Sequence, residues 1–170
     1  LSELAITIRD LNEAKAISKG LALTMSYPDL MVRGDKLLLQ QIISNLVSNA
    51  IQYTERGQVA VRFEAVNDCL TIDVSDTGCG IAPAEQEQIF NQFYRADKTR
   101  ALHDGLGLGL SIVQRLCGLI GADIRVTSDT GQGAQFVVST PFPTSANHQT
   151  ISNTSATSKM QGSHRNLQGK

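Results

Sequence analysis

The chain has 170 residues, of which 18% are charged, and a formal net charge of −1. That length suits one ordinary domain, and the charge balance offers neither a basic surface for nucleic acid nor an acidic block. With aromatics at 5% and no Trp, a stacking platform for bases is excluded as well. The first element is a helix in which Leu4, Ile8, Leu11 and Ala14 recur at helical spacing, with a stop at Lys19-Gly20. Leu21, Leu23 and Met25 then alternate as a strand. Pro28-Asp29 turns the chain, and Leu30 to Val32 is expected to pair back as a second short strand. Asp35 caps a long helix with Leu38, Ile42, Leu46 and Ala50 on its apolar face, closed by Arg56 and Gly57. Two strands follow, Val59-Val61-Phe63 and Leu70-Ile72-Val74, joined by a turn at Asn67-Asp68. Pro83 opens a short helix that leads to Ile89 and Phe90.

Asn91 to Asp104 is polar and aperiodic, which predicts a long loop of the functional kind. Leu108 to Ile120 is a third helix, stopped by Gly121. Ile124-Val126 and Phe136-Val138 are the last strands, around a turn at Gly131-Gln132-Gly133. From Thr144 to Lys170 the composition shifts to Ser, Thr, Asn and Gln, so residues 144–170 are expected to be a disordered tail or linker. The order predicts an α+β, two-layer α/β sandwich: a mixed sheet of about five to six strands with about three helices on one face. No apolar run reaches membrane-spanning length. The chain opens on Leu1 with no signal-like segment and reads as a piece of a longer protein. Cys69, Cys79 and Cys117 have neither an even count nor ligand-like spacing, which predicts a reducing, cytoplasmic setting and no zinc site.

Four groups of residues could carry chemistry. Gln41, Asn45 and Asn49 share one face of the long helix, with Gln52 alongside. Asn is a poor helix former, so its presence there calls for a reason. A neutral amide oxygen suits Mg²⁺ that also carries phosphate, although a solvated polar face has the same pattern. Asp76-Thr77-Gly78-Cys79-Gly80-Ile81 follows a strand. Asp76 there could accept from an amino group such as that of adenine, or simply cap a tight turn. Gly105-Leu106-Gly107-Leu108-Gly109-Leu110 opens a helix, where free N–H groups suit an anion. The same glycines would also serve close helix–sheet packing. Arg95, Lys98, Arg100 and His103 are cations in the charged loop, which in phosphoryl transfer could neutralise developing charge.

Taken in order, Asn45–Ala50, Asp76–Ile81, Ile89–Arg95, Gly105–Leu110 and Gly131–Gly133 resemble the N, G1, F, G2 and G3 boxes of sensor histidine kinase catalytic domains. That family belongs to a wider group, GHKL, with the gyrase, Hsp90 and MutL ATPase domains. The resemblance covers roughly residues 1–143 and implies the Bergerat ATP-binding fold. It implies a protein-histidine kinase domain that binds ATP, with ADP as product. In it, Asn49 would coordinate Mg²⁺ and Asn45 would support the phosphate environment. Tyr53 would flank the nucleotide. Asp76 would accept from the adenine amino group, with Gly78, Gly80 and Ile81 around the base. Phe90 and Phe93 would anchor a mobile lid, roughly residues 91–104, and Arg95 or Lys98 would reach the phosphates. Gly105, Leu106, Gly107, Leu108, Gly109 and Leu110 would present backbone to the phosphates. Gln52 and Leu106 depart from the Lys or Arg and the Thr that many members have. Cys79 is expected to be a packed small residue. The phospho-acceptor histidine is expected on a helical dimerisation domain outside this chain, since His103-Asp104 lacks the usual continuation and His148 and His164 lie in the tail. A response regulator receiver domain would be the next partner, no nucleic acid would be involved, and the parent would be a homodimer with this piece monomeric.

Overall fold

The computed structural model describes residues 1–94 and 107–146. In chain order these form α1 (Ser2–Ser18), β1 (Ala22–Ser26), β2 (Leu30–Val32), α2 (Lys36–Tyr53), β3 (Gln58–Val66) and β4 (Cys69–Asp76). Two single turns of 3₁₀ helix follow, Pro83–Glu85 and Gln88–Phe90. Then come α3 (Gly109–Ile120), β5 (Asp123–Ser128) and β6 (Ala134–Ala146). The strands make one six-stranded sheet of order β1-β3-β4-β6-β2, with β5 also paired to β6. Only β1 and β3 run parallel, so the sheet is mixed as expected.

Period-two alternation decides which face is buried. Val59, Val61 and Phe63 of β3 are buried, as are Leu70, Ile72 and Val74 of β4 and Phe136 and Val138 of β6. Register aligns them into rows across the sheet. Val61 faces Val74, which faces Phe136, and Phe63 faces Ile72, which faces Val138. Such cross-strand rows are the unit of sheet stabilisation. The three helices cover that face, with α2 packed between α1 and α3. Its inner side is Leu39, Ile42, Ile43, Leu46, Val47, Ala50 and Ile51.

Local chemistry sets the element ends. Asp35 Oδ1 accepts from the N–H groups of Leu37 and Leu38 at 2.9 and 3.0 Å, capping α2. At the other end of α2, Lys19 Nζ donates to the carbonyls of Ile51 and Gln52, each at 2.8 Å. A cation among final carbonyls is favoured by the helix dipole. Gly121 ends α3 in the left-handed conformation, with φ at 68°.

Three expectations change. The buried stripe of α1 is Leu4, Ala5, Ile8, Asn12 and Ala16, whereas Leu11 is 60% exposed and Ala14 is exposed too. Asn12 takes the inner place because its amide nitrogen donates to the Ile8 carbonyl at 2.8 Å, which makes a buried polar side chain tolerable. Strands β1 and β2 do not form a hairpin: β1 pairs with β3, and β2 pairs with Thr144–Ala146. Two-residue hairpins favour positive φ at the turn. Asn67 and Asp68 have it, at 52° and 60°, whereas Pro28 and Asp29 are not among the positive-φ residues. Lastly, β6 continues past the predicted Phe136–Val138 segment and past Pro143, because β2 gives Thr144 to Ala146 a partner strand. The rest of the predicted tail lies outside the described residues.

Replacing the Asp35 cap (Asp35→Ala) should lower stability by about 1 kcal/mol. Phe63→Ala, at the centre of a buried row, should cost about 3–5 kcal/mol. Urea unfolding of both variants checks this, with a lower midpoint and an unchanged slope expected for each.

Candidate functional site

The inward series on β4 is Leu70, Ile72, Val74 and then Asp76. Three aliphatic side chains are followed, at the same period, by a carboxyl group. Asp76 Oδ1 accepts from Gly78 N–H at 2.8 Å and from Ala134 N–H at 3.4 Å. Both bonds fall on Oδ1, so Oδ2 takes no part in them. Burial pushes the Asp76 carboxyl above its ordinary value, while the Gly78 and Ala134 N–H groups and the Thr54 hydroxyl pull against that rise. The same Thr54 hydroxyl donates to the Ala50 carbonyl at 2.7 Å and is fully buried.

The loop after Asp76 is clamped from two sides. Cys79 N–H donates to the Tyr53 carbonyl at the end of α2, at 3.3 Å. On the other side, Gly131 N–H donates to the Cys79 carbonyl at 2.7 Å. Ile81 N–H donates to Ser128 Oγ at 2.8 Å, and that hydroxyl donates onward to the Gly133 carbonyl at 2.6 Å. Two glycines make the clamp possible. A Cβ at Gly80 would overlap the Asp129 carbonyl, and one at Gly133 would overlap the carbonyl of Asp76 itself. Both residues also have positive φ, at 68° and 77°, which L side chains resist.

Between α2, this loop and the start of α3 lies a cavity of about 670 Å³, counting its open mouth. Asn49 and Tyr53 enter from α2, Asp76 from β4, Gly80 and Ile81 from the loop, and Leu110 from α3. Ile89 and Phe136 add apolar surface, and Phe90 stands behind Phe136 with the rings edge to face at 6.5 Å. The first turn of α3 reaches Asn49 directly: a Cβ at Gly109 would lie 3.1 Å from its amide oxygen and nitrogen. The N-cap residue Leu108 gives α3 no side-chain bond. Free N–H groups at such an end suit an anion.

Other expected site residues stand further back. Asn45 is one turn before Asn49, and its amide nitrogen donates to the Gln41 carbonyl at 2.8 Å. Gly78 is tucked against the Tyr53 carbonyl. Gly107 packs against Phe93 and Tyr94, and its carbonyl accepts from Phe93 N–H at 3.0 Å. Phe93 is itself 65% exposed, so its side chain does not anchor by burial. Cys79 lines the cavity and is exposed, so it is not the packed small residue expected there. Arg95, Lys98, Gly105 and Leu106, together with the predicted lid beyond Tyr94, lie outside the described residues. Sequence reasoning left out Glu85, Ala134 and Phe136 as lining residues. Phe136 gave no separate signal, since an inward residue of the last strand reads as ordinary core. Glu85 had none, because a charged residue after Pro83 suits any solvated turn.

The raised Asp76 value means that the native state holds this proton more tightly than the unfolded chain does. Stability from this group is fully present below the ordinary carboxylate range and is lost as pH rises through the raised value. Asp76→Asn keeps the shape without the charge. The variant should therefore melt at a higher temperature than the parent at pH 7, with the gap closing as pH falls below the carboxylate range. Thermal unfolding at a series of pH values checks this.

Residues 34–144 match the family described as histidine kinase-, DNA gyrase B-, and HSP90-like ATPase. The chain is similar to the sensor histidine kinase AtsR of Burkholderia thailandensis, with 39% identity over 86% of this chain and 25% of that one. It is 41% identical to the sensor histidine kinase RcsC of Escherichia coli over 68% of this chain and 12% of the relative. The chain thus spans a quarter or less of these two relatives. Among solved structures, full-length ShkA in complex with AMPPNP is similar over 85% of this chain and 30% of that one, at a TM-score of 0.76 and 33% identity. The chain belongs to the histidine kinase-, DNA gyrase B-, and HSP90-like ATPase family, as an ATP-binding domain of the kind that sensor histidine kinases carry.

Proposed function

We propose that this domain binds MgATP in the cavity and donates the γ-phosphoryl group to a histidine on a separate helical dimerisation domain. The phosphoryl group would then pass to an aspartate of a response regulator receiver domain. The observation that carries this reading is that Asp76, Asn49 and the start of α3 meet around one cavity. Asp76 accepts from the adenine amino group, with Ile81, Ile89 and Phe136 against the ring. Asn49 and the α3 N–H groups take the phosphate end. Tyr53 flanks the nucleotide, with Gly78 and Gly80 shaping the loop beneath the base, and Asn45 supports Asn49 from the preceding turn. The G2 run from Gly105 to Leu110 and the cations Arg95 and Lys98 complete the phosphate contacts in this reading.

The donor set fits magnesium. Asn49 offers a neutral, hard oxygen beside an anion-favouring helix end, which suits a Mg²⁺ that arrives on nucleotide phosphates. When bound, the metal neutralises phosphate charge. The chain's own part is positioning and electrostatics, because phosphoryl transfer asks for little covalent help. A water-activating role is disfavoured at Asn45, since an amide has no basic site and its nitrogen is already committed to Gln41. We place the domain in the cytoplasm, as a monomeric part of a homodimeric parent. Among the described residues no helix is long and apolar enough to cross a membrane. A non-catalytic nucleotide sensor is the second reading. It is favoured by the last turn of α2, which has Gln52 and no basic residue of its own.

Calorimetry with MgATP tests the first reading. Asp76→Asn should weaken binding by roughly 10- to 100-fold, the worth of a lost charge-assisted contact, and Asn49→Asp should weaken it by setting a carboxylate against the phosphates. Unchanged affinity in both would remove the assignment. Mixing the domain with the parent's dimerisation helices and ATP should yield phosphohistidine, and tight binding without it selects the sensor.

A further inference from the structure

The cavity wall also holds a carboxylate that the base, metal and phosphate contacts leave unused. Glu85, in the first 3₁₀ turn, lines the cavity, and so does Tyr94. The Tyr94 hydroxyl donates to Glu85 Oε1 at 3.3 Å, which fixes how the carboxylate presents itself.

Neighbouring contacts locate this pair along the cavity. On one side, Gln86 is tied to the Ser128 and Ile81 carbonyls, at 2.7 and 3.3 Å, and so to the loop beneath the base. On the other, the Tyr94 carbonyl lies 2.8 Å from where a Cβ of Gly107 would be, just ahead of the α3 start. Glu85 and Tyr94 therefore stand between the base end and the phosphate end. The part of a nucleotide that lies between base and phosphates is its ribose.

Charge points the same way. A carboxylate turned toward phosphate oxygens is repelled. The adenine amino group is already matched by Asp76. Ribose hydroxyls are neutral donors, and a carboxylate has about four acceptor sites, of which the Tyr94 bond takes one. We propose that Glu85, positioned by Tyr94, accepts a hydrogen bond from a ribose hydroxyl and makes this domain favour nucleotides that carry that hydroxyl over those that lack it. The inference rests on the nucleotide reading above.

Calorimetry on the full chain with MgATP and its 2′-deoxy and 3′-deoxy analogues tests it. The parent should bind ATP roughly ten-fold more tightly than at least one of the deoxy analogues. Glu85→Ala should bring that ratio close to one, by weakening ATP while leaving the deoxy analogue unchanged. Glu85→Gln keeps one acceptor oxygen and should retain part of the preference, and Tyr94→Phe should narrow the ratio without abolishing it. A purely structural role would move all three nucleotides together. Equal binding of the three by the parent overturns the ribose role and leaves the nucleotide site standing. So does a Glu85→Ala change that shifts all three by one factor, in either direction. If the parent binds none of them, the nucleotide reading falls and this inference falls with it.

Discussion

Asp76 occupies the fourth inward position of β4, where the preceding three are Leu70, Ile72 and Val74. Burial opposes its ionisation, and two backbone N–H groups on a single oxygen oppose that burial. The rest of the site is arranged around keeping this carboxyl group in place. Ala134 can donate to it only because the β5–β6 turn is drawn close. That turn is drawn close only because Gly133 has no Cβ to meet the Asp76 carbonyl. The loop from Thr77 to Gly80 is then held between Tyr53 of α2 and Gly131 of the turn. A charge at the end of a hydrophobic row thus fixes three segments that are distant in sequence.

The two ends of the cavity are built on different principles. The end at Ile81, proposed for the base, is braced by several bonds, with Ser128 linking Ile81 to Gly133. Its rigidity comes from strand pairing and from contacts that tolerate no added atom. The end at Asn49, proposed for the phosphates, has the start of a helix and a neutral amide, which provide partial charges with little desolvation cost. Such a division suits a ligand with a flat, specific head and a highly charged tail. Under the proposed reading, a chain with so little net charge can serve an anionic ligand because positive potential comes from oriented backbone as well as from side chains.

Much of the fold was legible because the signals were local. The inward residues of β3 and β4 alternate without a break, and Asn67-Asp68 supplies the positive φ of a tight turn. Asp35 and Gly121 marked helix ends by their own chemistry. The failures were non-local. Nothing near Leu30 says that its partner is Ala146, since that pairing joins residues from opposite ends of the domain. Asn12 was passed over on α1 because its buried hydrogen bond to Ile8 is invisible in a list of apolar residues. At the site, Asn49 stood out as a poor helix former on a face shared with Asn45, and Asp76 as a carboxylate at a strand end ahead of glycines. Phe136 and Glu85 did not, since one looks like ordinary core and the other like ordinary surface.

The costs of this architecture are gathered in one region. Asn45 and Asn49 are poor helix formers on a helix that is otherwise well built. Asp76 carries a charge that burial resists, and Gly80 and Gly133 surrender side chains and backbone entropy. Neither the two asparagines nor the charge on Asp76 favours the stability of the empty domain. They are tolerated because the rows from Val61 to Phe136 and from Phe63 to Val138, covered by α2, supply a core that does not depend on them. Departures from local optimality that cluster around one cavity, while every row beneath obeys the pattern, are the physical mark of a site kept for its ligand.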